Sequence, residues 1–209
     1  MNVFLGFARF GWAPYLERIT VAVVGVRDMA FPTRIYLTGF MGCGKSTVGP
    51  LLAQHIGYEF IDLDQVIESA SGMPIRQIFS ERGEEEFRRL ESLMLRAVSR
   101  AARVVIALGG GAVVSENNLY FVLTNGTLVY LNVAPRVLVR RIMRMADERP
   151  LLLGENSIPL PEDELVQRIE EMIEARQHFY SRAEVVIEVG DRSIDATVDA
   201  TVDALSVLS

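Results

Sequence analysis

The sequence predicts an α/β fold, a parallel sheet covered by helices on both faces, and three observations carry that reading. Short segments rich in β-branched and aromatic residues alternate with longer stretches that are apolar at helical spacing. The run Gly39-Phe40-Met41-Gly42-Cys43-Gly44-Lys45-Ser46 fits the phosphate-loop pattern G-x-x-x-x-G-K-[ST]. It lies between a strand candidate and a helix candidate, the context that gives this pattern meaning.

The first strand is read at 34–38, where Ile35, Tyr36 and Leu37 suit a buried sheet position. The phosphate loop follows it. Gly39, Gly42 and Gly44 let the backbone take positive φ and come close to an anion. The loop amides and the N-terminus of the next helix then favour negative charge. Lys45 supplies a full charge for the β- and γ-phosphates of a nucleoside triphosphate, and Ser46 offers a hydroxyl to Mg²⁺. Thr47 continues into a helix at 45–56. Cys43, the chain's one cysteine, is a small loop filler or a thiol activated by the loop's field. It excludes an intrachain disulfide.

Further strands are read at 59–61, 104–108, 127–131 and 185–189. Helices are read at 64–71, 74–80, 84–100, 115–124, 135–145, 162–180 and 193–205. Two places break the alternation. Residues 145–161 hold charges, prolines and the run Arg149-Pro150-Leu151-Leu152, an excursion suited to a lid. Gly109-Gly110-Gly111 ends a strand, at the edge where ligands bind in open α/β sheets.

Length and composition bound the function. A chain of 209 residues with half of them apolar has room for one full core. The net charge of −6 argues against nonspecific nucleic-acid binding, and no apolar run is long enough to span a membrane. Residues 1–32 are read as an N-terminal extension, a poor secretory signal that leaves a transit peptide or an appendage open.

A second layer of motifs follows the loop. Asp62 and Asp64 are two apart at the end of a strand, so on extended chain they face one side. They can serve a metal and an acceptor hydroxyl, or one of them can cap the next helix. Gly83-Glu84-Glu85-Glu86-Phe87-Arg88-Arg89-Leu90-Glu91 opens a helix whose arginines, taken alone, read as a solvated ion-paired face. The three glycines form a tight turn or a row of amides that cradles a ligand. Arg176 and Tyr180 lie one helical turn apart, where an arginine also fits a helix end.

In this order the motifs resemble the shikimate kinase family. They are Gly39–Ser46, Phe60-x-Asp62-x-Asp64, the Gly83–Glu91 run, Gly109-Gly110-Gly111, Arg149-Pro150-Leu151-Leu152, and Arg176 with Tyr180. The resemblance spans about 33–189, and it departs where Gln177-His178-Phe179 lacks the family's proline. It implies a P-loop kinase fold like that of nucleoside monophosphate kinases, a five-stranded parallel sheet with a lid at about 145–161 in a domain over 33–209. It implies ATP-dependent phosphorylation of the 3-hydroxyl of shikimate, in chorismate and aromatic amino acid biosynthesis, by a cytoplasmic monomer acting on small molecules.

By position, the resemblance makes Lys45, Asp64 and Arg149 catalytic. Gly42, Cys43, Gly44, Lys45, Ser46, Thr47, Arg149 and Arg192 bind ATP, with Arg192 near the adenine. Asp64, Arg88, Gly110 and Arg176 bind shikimate, and Ser46 with Asp62 serves Mg²⁺. Arg141 and Arg144 compete for the place of a second nucleotide-facing arginine. A gluconate kinase would share the loop without this ordered set, and a non-catalytic relative would not need Lys45, Asp62, Asp64 and Arg149 together.

Overall fold

Alternate side chains of strand β1 (Arg34–Thr38) enter two different cores, so β1 lies at the centre of the fold. Ile35 and Leu37 face one layer of helices and Tyr36 faces the other. All three are fully buried. Such two-sided burial is the mark of a parallel sheet. The structure is a computed structural model that describes residues 31–144 and 160–208. Residues 1–30, Arg149 and all but the last two positions of the expected lid lie outside them.

The other strands are β2 (Glu59–Asp62), β3 (Val104–Ala107), β4 (Thr127–Asn132) and β5 (Val185–Glu188). Every pairing is parallel, and the order is β2-β3-β1-β4-β5. One face carries α1 (Lys45–Ile56), α5 (Pro135–Arg144), α6 (Glu162–Glu174) and α8 (Ile194–Ser206). The other carries α2 (Leu63–Ser71), α3 (Ile75–Val98), α4 (Glu116–Asn125) and the short α7 (Gln177–Tyr180). The strand order leaves the ends of β1, β2 and β3 side by side at the carboxyl edge, the ligand edge of such sheets.

The expected elements all form, and their boundaries differ for local reasons. β2 runs on to Asp62, whose carboxylate caps α2, so strand passes to helix without a loop. The helices expected at 74–80 and 84–100 meet end to end in α3, bent at Gly83 with φ 81° and ψ 172°. The helix expected at 162–180 breaks at Arg176, which turns the chain into α7. No glycine or proline marks that break; Arg176 and Tyr180 both bond the carbonyl of Gly110. On the second face, the Tyr36 hydroxyl donates to Ser99 Oγ, which satisfies a buried polar group.

Helix α1 packs on β2 with no room to spare. A methyl on Gly49 would lie 2.3 Å from the ring of Phe60. Glycine costs a helix about 1 kcal/mol relative to alanine, whereas overpacking costs about 1–3 kcal/mol. Gly49→Ala is therefore expected to lower stability in denaturant titrations despite its better helix propensity. A stabilised variant would show that α1 can shift off β2.

Candidate active site

The phosphate loop connects β1 to α1 with Gly39, Gly42 and Gly44 at φ 144°, 78° and 110°. These values belong to glycine, as the sequence pattern requires. Lys45 folds back over the loop, and its Nζ donates to the carbonyls of Gly39 at 2.8 Å and Phe40 at 3.3 Å. Cys43 is 1% exposed with its Sγ 3.6 Å from that ammonium. It fills the underside of the loop rather than offering a thiol to solvent. From α5, Arg141 Nη1 donates to the carbonyls of Cys43 at 3.3 Å and Gly42 at 3.5 Å. Arg141 is thus the arginine of the competing pair that reaches the loop, while Arg144 is exposed.

Asp62 does two jobs with its two oxygens. Oδ1 accepts from the amides of Asp64 at 3.1 Å and Gln65 at 3.5 Å, which caps α2. Oδ2 accepts from the Ser46 hydroxyl at 2.8 Å. The capping and metal readings are therefore compatible. A hydroxyl and a carboxylate oxygen side by side at the loop form a hard-oxygen set that suits Mg²⁺, which needs few protein ligands beside phosphates and water. Among the described residues no larger His, Cys, Asp or Glu cluster has a metal-binding arrangement.

The three glycines each stand against a different part of the site. A methyl on Gly109 would lie 2.8 Å from Asp64 Oδ1 and 3.2 Å from Glu91 Oε1. One on Gly110 would touch Gly39 O and Met41 N of the phosphate loop, both at 3.7 Å. One on Gly111 would collide with the Arg88 guanidinium. The glycine loop thus lies among Asp64, Glu91, the phosphate loop and Arg88. Behind it, Arg176 Nη1 at 3.2 Å and the Tyr180 hydroxyl at 3.0 Å both donate to Gly110 O. Arg176 also lies over the Phe40 ring, and Tyr180 stacks on Tyr130 with centroids 4.7 Å apart.

The two neighbouring arginines of α3 separate cleanly. Arg89 is exposed and pairs with Glu86, the solvated reading. Arg88 is half-buried and bonds Glu84 at 3.3 Å and Glu91 at 2.9 Å. Glu91 is the residue that motif reading left without a role. It is 1% exposed, and its Oε1 has no hydrogen-bond partner among the described residues. An acid in the apolar stripe of Phe87, Leu90, Met94 and Leu95 is the signal that marks it. Burial raises its carboxyl above the ordinary glutamate value, opposed by Arg88 and reinforced by Asp64.

Lys45, Ser46, Asp62, Asp64, Arg88, Gly110 and Arg176 therefore share the carboxyl edge of β1, β2 and β3. Arg192 does not reach it by a side-chain bond; it is exposed in the turn after β5, with its amide donating to Val189 O. The adjacent Asp191 pairs with Arg140 at 3.7 Å, which ties that turn to α5. His178 pairs with Glu116 at the surface and His55 is exposed, so neither joins the site.

Comparison with known proteins agrees with this geometry. Residues 41–206 match the family model for shikimate kinase. The shikimate kinase of Prosthecochloris aestuarii is 43% identical over 169 residues, which cover 81% of this chain and 85% of that protein. A shikimate kinase crystal structure from Bacteroides thetaiotaomicron superposes with a TM-score of 0.75 at 39% identity, covering 83% of this chain and 98% of that one. One from Acinetobacter baumannii in complex with shikimate gives 0.72 at 32% identity, covering 82% and 91%. A gluconokinase from Sinorhizobium meliloti, covering 85% and 94%, shares the fold at a TM-score of 0.52 and 20% identity.

Burial raises the Asp64 carboxyl above the ordinary aspartate value, Asp62 raises it further, and Lys45 opposes them. A carboxyl that holds its proton more tightly when folded costs nothing below its unfolded pKa. The cost grows as pH rises through the folded pKa and is full above it. Asp64→Asn is expected to be more stable than the parent at neutral pH, with the advantage gone below the ordinary aspartate range. Denaturation midpoints across pH, without metal or nucleotide, check this; an advantage that grows on acidification would contradict it.

Proposed function

The chain belongs to the shikimate kinase family, and from that premise we propose how its own residues carry the reaction. It is an ATP-dependent kinase that phosphorylates shikimate in aromatic biosynthesis. The transfer goes to the 3-hydroxyl. Residues 33–209 form the catalytic unit, with 145–161 as its lid. It works as a cytoplasmic monomer on two small substrates, without nucleic acid or membrane. Among the described residues no helix is long and apolar enough to cross a membrane.

The observation that carries the acceptor assignment is the convergence of Arg88 and Arg176 on adjacent glycines. The two residues come from different helices, yet Arg88 faces Gly111 and Arg176 bonds Gly110. Shikimate carries one carboxylate and neighbouring hydroxyls. Guanidinium forks bind a carboxylate at two points, which an ammonium does not reproduce. Asp64 lies across the same loop, beside Gly109.

ATP lies along the phosphate loop, with its phosphates on the amides of Gly42, Cys43, Gly44, Ser46 and Thr47. Lys45 exchanges its bonds to Gly39 O and Phe40 O for phosphate oxygens. Ser46 and Asp62 would hold Mg²⁺, which would supply neutralisation of phosphate charge. The family resemblance assigns Arg149, which lies outside the described residues, to the phosphates and Arg192 to the adenine. Asp64 accepts the proton of the attacking hydroxyl, and its raised proton affinity suits that task. Phosphoryl transfer asks the protein mainly for alignment and charge neutralisation, and this arrangement supplies both.

Steady-state kinetics with shikimate varied, together with direct ATP binding, test the assignment. Arg88→Ala or Arg176→Ala should weaken shikimate binding by about 1.5–3 kcal/mol, the range for a hydrogen bond to a charged group. ATP affinity should stay near the parent's. Unchanged shikimate KM in both variants would place the acceptor elsewhere.

A further inference from the structure

We propose that Arg141 is a positioning residue for the nucleotide: from behind the phosphate loop it holds the peptide between Cys43 and Gly44 so that the Gly44 N–H faces the phosphates. The inference rests on the assignment of that loop to a nucleoside triphosphate and adds what aims one of its amides.

Helix α5 is pressed against the loop by its own core. Leu138, Val139 and Ile142 are fully buried. A methyl on Gly42 would lie 3.1 Å from Ile142 Cγ1 and 3.9 Å from Leu138 Cδ2. Arg141, half-buried beside Ile142, therefore starts from a fixed backbone. Its Nη1 carries two hydrogens. That one nitrogen donates to Cys43 O at 3.3 Å and to Gly42 O at 3.5 Å.

A trans peptide points its C=O and its N–H in opposite directions. With both carbonyls turned to Arg141, the amides of Cys43 and Gly44 point away from it. The Cys43 amide is already used, donating to Phe40 O at 3.1 Å within the loop. The Gly44 amide has no acceptor among the described residues. Gly44 stands at the N-cap of α1 with φ 110° and ψ 13°. An amide without an acceptor at the start of a helix is a donor for an anion. A flip of this peptide changes ψ of Cys43 and φ of Gly44, and glycine tolerates either sign of φ. Sterics at Gly44 therefore leave the flip open, and the bonds from Arg141 oppose it.

Binding of ATP and of inorganic tripolyphosphate, which has the phosphates without the base, to Arg141→Met and Arg141→Lys tests the idea. The backbone amide resonance of Gly44 in the nucleotide-free enzyme reads the position. Methionine keeps the apolar stem of the side chain and loses its donors. Arg141→Met should weaken both ligands by about three- to tenfold, the range for one lost hydrogen bond, and by factors that agree within about twofold. The Gly44 resonance should shift. Arg141→Lys should recover most of the affinity, because a single nitrogen makes both bonds. An ammonium would not replace a fork on phosphate or a plane stacked on a base. Weakened ATP with unchanged tripolyphosphate would overturn the inference, since the arginine would then act on the base. So would a Gly44 resonance that stays in place, or a loss in Arg141→Lys equal to that in Arg141→Met. Lys45→Ala is the control on the premise: tripolyphosphate bound equally well without Lys45 would overturn the assignment of the loop itself.

Discussion

The phosphate loop is clamped between the ends of the strands on either side of β1. A methyl on Gly39 would lie 2.7 Å from the Leu131 carbonyl of β4, and one on Gly110, just past β3, would lie 3.7 Å from Gly39 O and Met41 N on the other side. The strand order that places β1 between β3 and β4 makes this clamp possible. Its consequence is distance control. The phosphate loop and the glycine loop lie side by side, so groups bound on the two need no long or flexible arm to be aligned. Preorganised alignment of this kind is a large part of what catalysis of phosphoryl transfer requires.

Charge at the acceptor edge is balanced unevenly. Asp64 and Glu91 both approach Gly109, and Asp64 raises the proton affinity of Glu91. Arg88 relieves Glu91 directly, and Lys45 opposes the rise at Asp64. Burying like charges costs stability, and natural sites accept such costs where the chemistry needs a basic carboxylate. The Oε1 of Glu91, without a hydrogen-bond partner among the described residues, belongs to the same set.

Much of this was legible in the sequence because its signals are local. The Gly39–Ser46 pattern specifies a backbone shape, and the alternation of strand and helix specifies a parallel sheet. Asp62 and Asp64 were legible as a pair, and the family resemblance divided their roles, but which of them caps α2 was not legible, because it depends on how β2 runs into that helix. The break at Arg176 carries no local punctuation. It coincides with two side chains reaching one carbonyl on a distant loop. Arg88 and Arg89 look alike in sequence, and only the fold turns one toward Gly111 and the other toward solvent. Glu91 was visible as an acid in an apolar stripe, yet its role needs Asp64 beside it. That Arg141 and not Arg144 bonds the loop carbonyls depends on how α5 meets the loop.

The central claim is that one crevice, at the carboxyl edge of β1, β2 and β3, holds both substrates, with the glycine loop between the two acceptor arginines. A crystal structure with shikimate and a non-hydrolysable ATP analogue tests it most directly. The account predicts the shikimate carboxylate between the guanidinium groups of Arg88 and Arg176, with a hydroxyl on Asp64 and pointing at the γ-phosphate. Shikimate bound away from Gly109, Gly110 and Gly111, or with its carboxylate turned from both arginines, would contradict it.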